Sequence, residues 1–137
     1  MKNYELIEHT ADVGIRVKGK DLKELFTNAA LAMFDIMSEK RAQAGKTQEI
    51  SINQQADNLD ELFVNWLNEL LSLSAVKELI FSDFEIARLD KNSLEAILIG
   101  SDIACHRINT EIKAATYHEL KIEQTDSGWQ AEVIFDV

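Results

Sequence analysis

The chain has 137 residues, is 46% hydrophobic, and carries 24 acids against 14 Lys and Arg, a formal net charge of −10. That length suits one domain (1–137) with its own core, and the charge argues against direct RNA or DNA binding, because phosphates are held by clustered Lys and Arg. No run reaches the roughly 18 apolar residues of a membrane span, residues 1–20 do not read as a secretory signal, and a single cysteine, Cys105, fits a reducing cytoplasm.

The acidic balance suits solubility, a basic protein partner, or bound cations. In chain order, YELIE (4–8) and VGIRVKG (13–19) alternate as strands do, with Val13, Ile15 and Val17 on one side. Between them, HTADVG places His9 and Asp12 in a connection for which Asn-Gly would suffice. Asp12 reads as an Asx-turn residue or as a working acid. From Asp21, the residues Leu22, Leu25, Phe26, Ala29, Ala30, Met33, Phe34 and Met37 recur at helical steps, and Asp21 with Glu24 reads as a capping box. A second helix from Asn58 places Leu59, Leu62, Phe63, Trp66, Leu67, Leu70 and Leu71 on one face, with Asn58 and Glu61 as its cap pair.

Both helices are apolar over a wide arc, which predicts contact with more than one layer. Their aromatic and Met stripes read as core. Glu69 on the second helix either faces a site or is an exposed helix acid. Residues 39–47 and 74–80 read as loops, and QEISIN (48–53), FSDFEIARL (81–89) and SLEAILIGSDI (93–103) as strands. In ACHRIN (104–109), Cys105 reads as a small, buried or half-buried hydrophobe. The strand 111–124 is expected to place Ile112, Ala114, Thr116, His118, Leu120 and Ile122 on one face, making His118 a satisfied core histidine. After the turn TDSG, Trp129, Ala131, Val133 and Phe135 align. The order ββ-α-β-α-ββ-ββ predicts an α+β domain with two helices against or between sheets.

The last hairpin carries a chemical expectation. A tight turn around Asp126–Gly128 sets Asp136 and Val137 opposite Thr116–Glu119, with Lys113 a little beyond the chain end. The Val137 carboxylate, the Asp136 side chain and the Lys113 ammonium then become neighbours. Two carboxyl groups at one place need a counter-charge, either Lys113 or a metal ion. Hard cations take several oxygens, and Asp12 would add a third carboxylate if the first strand connection reaches this edge. The alternative is a solvated terminal acid beside an unrelated turn residue.

YELIEHTADVGIRVKG, LKELFTNAALAMFDIM, LDELFVNWLNELL, TEIKAATYHEL and the closing IFDV together resemble the archease family, in order and over nearly the whole chain. The combination of HTADV, a KA-x-TYH strand and a terminal Asp-aliphatic pair is specific, whereas each piece alone would be weak. The resemblance implies a three-layer β-α-β sandwich, with two helices between two mostly antiparallel sheets. It implies no catalytic activity but a protein cofactor of the RtcB-type RNA ligase. That ligase joins 2′,3′-cyclic-phosphate or 3′-phosphate ends to 5′-hydroxyl ends in tRNA splicing and RNA repair. The cofactor promotes guanylylation of the ligase histidine and multiple turnover. The alternative is a chaperone of a tRNA methyltransferase.

The resemblance also implies a divalent cation, commonly calcium (magnesium and manganese being alternatives), on Asp12, Asp136 and Val137. It assigns the functional lysine to Lys113. Read from the residues themselves, His9 is either an orienter of Asp12 or a structural hydrogen-bonder at the strand end, and His9, His118 and Glu69 are the candidate outer partners of the site. A metal-dependent hydrolase has less support, because the chain has no nucleophile motif, Gly-rich phosphate loop or zinc spacing.

Overall fold

The computed structural model describes residues 4–7, 12–41 and 46–137. In chain order the elements are β1 (Tyr4–Ile7), β2 (Val13–Gly19), α1 (Leu22–Met37), β3 (Ser38–Lys40), β4 (Thr47–Gln55), α2 (Leu59–Lys77), β5 (Leu79–Leu89), β6 (Ser93–Asp102), a 3-10 turn Ile103–Cys105, β7 (His106–Ile108), β8 (Ala114–Thr125) and β9 (Gly128–Asp136). They form an antiparallel sheet in the order β1-β2-β9-β8, a second in the order β4-β6-β5, and a short β3-β7 pair.

The helices lie between the two larger sheets. α1 touches β2 and β9 on one side and β5 on the other; α2 touches β8 on one side and β4 and β5 on the other. This explains the wide apolar arcs: Leu25, Phe26, Ala29, Ala30, Ala32, Met33 and Phe34 of α1 are all buried, on more than half of the helix circumference. The Asp21 carboxylate accepts from the Glu24 N–H at 2.9 Å, and Asn58 caps Glu61 in the same way. Only half of the α1 capping box forms as expected. The Glu24 carboxylate accepts from the N–H of Lys20, one residue before the cap.

One continuous core runs through the layers, centred on Trp66, Phe26, Phe63, Phe81 and Phe135. The ring of Phe26 meets Phe63 edge-on at 5.1 Å, and Trp66 meets Phe84 edge-on at 5.9 Å, so aromatic contacts tie α1 to α2 and α2 to β5. Among the described residues, no helix is long and apolar enough to cross a membrane.

Three expectations are corrected. Residues 74–80 are not a loop: α2 continues to Lys77 and β5 begins at Leu79. Glu78 alone turns the chain, in the left-handed region at φ 55°, and the Ser74 hydroxyl donates to the Leu79 carbonyl across the turn. The stretch 39–47 is partly strand, because Ser38–Lys40 pairs with His106–Ile108; residues 42–45 lie outside the described residues.

The third correction concerns β8. Thr116 faces Ile134 and Lys121 faces Glu132, so the four residues Tyr117–Leu120 oppose the single Val133. Glu119 in this bulge has a φ of 52°. The regular alternation expected through 111–124 therefore breaks. Ala115, opposite the buried Phe135, points inward instead of Ala114, and His118 is exposed on the bulge rather than held in the core.

Candidate functional site

β9 is central in its sheet, so its last residues have a neighbour on each side. On the β2 side, Val13 pairs with Phe135, and one step further along both strands brings Asp12 to the position facing Asp136. On the β8 side, Ala114 pairs with Asp136, and the Lys113 N–H donates to the Asp136 carbonyl at 2.8 Å. Asp136 thus lies between Asp12 and the segment Lys113–Ala114. Asp12 is half-buried, and Asp136 and Lys113 are exposed. Val137 is half-buried and packs against the core.

The bulge makes this meeting closer than the sequence suggested. Asp136 faces Ala114 rather than the expected Thr116–Glu119 segment, so Lys113 lies beside the chain end instead of beyond it. Tyr117 and His118 are on the exposed bulge, four and five residues along from Lys113 in the chain. His9 lies outside the described residues. Glu69 is half-buried on α2, and among the described residues its side chain makes no hydrogen bond or ion pair.

Among the described residues, no group of three or more His, Cys, Asp or Glu side chains is arranged to hold a metal ion. The side-chain oxygen donors that the register brings to this edge are the two carboxylates of Asp12 and Asp136. Carboxylates are hard donors, of the kind calcium and magnesium take.

Further along the same sheet, charge is balanced by protein groups. The Arg16 guanidinium contacts Glu5 at 3.1 Å on β1 and Glu132 at 3.6 Å on β9. Cations gather elsewhere too: Lys40, Arg41 and Arg107 line a shallow cavity of about 580 Å³ with Glu39. Beside it, the His106 ring approaches the buried Ser101 hydroxyl at 2.7 Å.

One residue near the site was missed by sequence reasoning. The side-chain carboxamide of Asn68 on α2 accepts from the Ala115 N–H at 2.7 Å and donates to the Ala115 carbonyl at 3.1 Å. The only signal in the sequence is an amide set among apolar helix positions where leucine would be the better helix former.

Comparison with known proteins gives one answer. The archease protein family (MTH1598/TM1083) matches residues 4–137. Protein archease of Methanosarcina acetivorans is 38% identical over 99% of this chain and 97% of its own length. Protein archease of Pyrococcus furiosus is 37% identical over the whole of both chains. The solution structure of Methanobacterium thermoautotrophicum protein 1598 superposes with a TM-score of 0.78 at 33% identity, covering both chains fully. The crystal structure of an archease, possible chaperone, from Thermotoga maritima shares the fold with a TM-score of 0.67 at 23% identity, over 96% of this chain and 94% of that one.

Proposed function

This chain belongs to the archease family, and on that premise we propose that it is a non-catalytic, cytoplasmic protein cofactor of an RtcB-type RNA ligase. In this reading it promotes guanylylation of the ligase histidine and lets each ligase turn over repeatedly in tRNA splicing and RNA repair. The observation that supports this is the sheet register. It brings together Asp12 and Asp136, far apart in the chain, with Lys113 on the other side of Asp136.

Asp12, Asp136 and the Val137 carboxylate are the residues that would hold a divalent cation, calcium first. When bound, such an ion supplies positive charge that holds the three carboxylates together. Lys113 brings one further positive charge on an exposed side chain, suited to a phosphate or carboxylate of the ligase active site. The protein's part is positioning: β9 fixes Asp136 between its neighbours, and the backbone bond from Lys113 to Asp136 sets where that lysine emerges.

The test is to incubate the partner ligase with GTP and follow covalent guanylate on the enzyme, with and without this protein. Faster guanylylation and more than one ligation per ligase molecule are expected. An unchanged rate would overturn the reading. The archease from Thermotoga maritima is described as a possible chaperone, which favours a second reading as a chaperone, for which we propose a tRNA methyltransferase as the client. That reading predicts suppressed methyltransferase aggregation and no effect on guanylylation.

A further inference from the structure

We propose that Asn68 is a positioning residue: its carboxamide holds β8 in the shifted register that places Lys113 against Asp136. Ala115 is buried and lies on an edge strand, next to the bulge. Its side chain shares the inward direction of Phe135, while its backbone N–H and C=O are both taken by Asn68 rather than by a neighbouring strand. A buried peptide group without partners is costly, so such a strand needs a substitute neighbour. A carboxamide has one donor side and one acceptor side at the spacing of a peptide group, and only one orientation of Asn68 satisfies both Ala115 groups.

The consequence reaches the site through register. From Thr125 and Gly128 back to Lys121 and Glu132, the hairpin pairs residue for residue. Continued without a bulge, it would set Asp136 opposite Tyr117 and leave Lys113 past the end of β9. The observed strand instead accommodates four residues against Val133, including Glu119 at positive φ. That conformation is unfavourable for a residue with a side chain, so something must hold the far side of the bulge in place. Beyond the ladder itself and the Lys113–Asp136 backbone bond, two side-chain contacts do so. The Thr116 hydroxyl donates to the Ile134 carbonyl at 2.8 Å, and Asn68 grips Ala115. Of these two, Asn68 comes from another layer, so it ties the position of Lys113 to α2.

This inference deepens the ligase reading, but amide exchange and calcium titration test it without the ligase. In Asn68→Leu, which keeps the side chain's bulk, the Ala115 and Lys113 amides are expected to exchange about tenfold faster or more, while amides in β2 and β5 keep their protection. Calcium binding, followed by calorimetry, should weaken in parallel. Asn68→Asp retains the acceptor for the Ala115 N–H and loses the donor, so it should preserve more Ala115 and Lys113 protection than leucine does. Unchanged Lys113 exchange in the leucine variant would overturn the proposal, as would a uniform loss of protection across all strands. If the leucine variant does not fold, Asn68→Asp decides: wild-type exchange at Lys113 together with wild-type calcium binding would sink the idea. If Lys113→Ala leaves guanylylation untouched, the ligase reading fails, while the exchange data still judge the role of Asn68.

Discussion

Trp66 on α2 donates its indole N–H to the carbonyl of Phe26 on α1 at 3.0 Å, joining the two helices inside the buried layer. Trp66 is fully buried, and its ring lies between Phe26 and Phe84. Trp66→Phe removes the donor and leaves a gap, with a cost of about 2–4 kcal/mol from a lost hydrogen bond plus incomplete repacking. Urea unfolding should show this as a lower midpoint with an unchanged slope. A midpoint within error of the parent would mean that the bond adds nothing.

His106 sets a pH dependence. Its imidazole lies below the ordinary value of 6.5, chiefly through burial and secondarily through Lys40, its partner across the β3-β7 pair. The folded state therefore binds this proton less readily than the unfolded chain does. As pH falls below about 6.5, the unfolded state takes up the proton first and stability drops. His106→Gln should flatten the stability profile below about pH 6.5 relative to the parent. Parallel profiles for the two proteins would exclude His106 as the source.

The free protein should not bind tRNA appreciably at about 0.15 M salt, because ten excess negative charges oppose the phosphate backbone. The cations Lys40, Arg41 and Arg107 cluster around one cavity, but Glu39 lies among them and contacts Arg107 at 3.6 Å. A gel shift with tRNA at this salt is the check. Tight binding would contradict a role exerted through a protein partner. If Arg107→Glu abolished it, the contact would be placed at this cavity.

Helices and layers were legible in the sequence because their causes are local. Periodicity marks Leu25–Met37 and Leu62–Leu71, caps mark Asp21 and Asn58, and arcs wider than one face require two packing layers. The hairpin turn is equally local, but the register it implies leaves Lys113 past the chain end, and only the bulge brings Lys113 beside Asp136. The bulge at Tyr117–Leu120 was not legible, because HELKIEQ continues to alternate and Glu119 is no usual residue for positive φ. Its cause is non-local: Asn68 reaches β8 from another layer. Asp12 is a similar case. Its place beside Asp136 depends on β2 pairing with β9, two strands separated by more than 100 residues, and no motif spacing encodes that.

The proposed cation site makes the last residue a ligand, and this gives the sharpest test of it. Asp12, Asp136 and the Val137 carboxylate together carry three negative charges, so a divalent ion leaves about −1, which Lys113 can offset. Without an ion the three carboxylates repel one another. A short C-terminal tag converts the Val137 carboxylate into an amide carbonyl, removing one charge and one oxygen while leaving every other residue unchanged. Calcium affinity and ligase activation are both expected to fall. The melting temperature of the metal-free protein should change little, because the buried layer around Trp66, Phe26 and Phe63 is untouched. Asp12→Ala and Asp136→Ala should behave alike, and an N-terminal tag should leave activation intact. Metal-free protein serves as the baseline, since an ion that binds only the folded state raises the melting temperature, and by more the more tightly it binds. If the C-terminally extended protein binds calcium in calorimetry as tightly as the native chain and still activates the ligase fully, the terminal carboxylate is not a ligand.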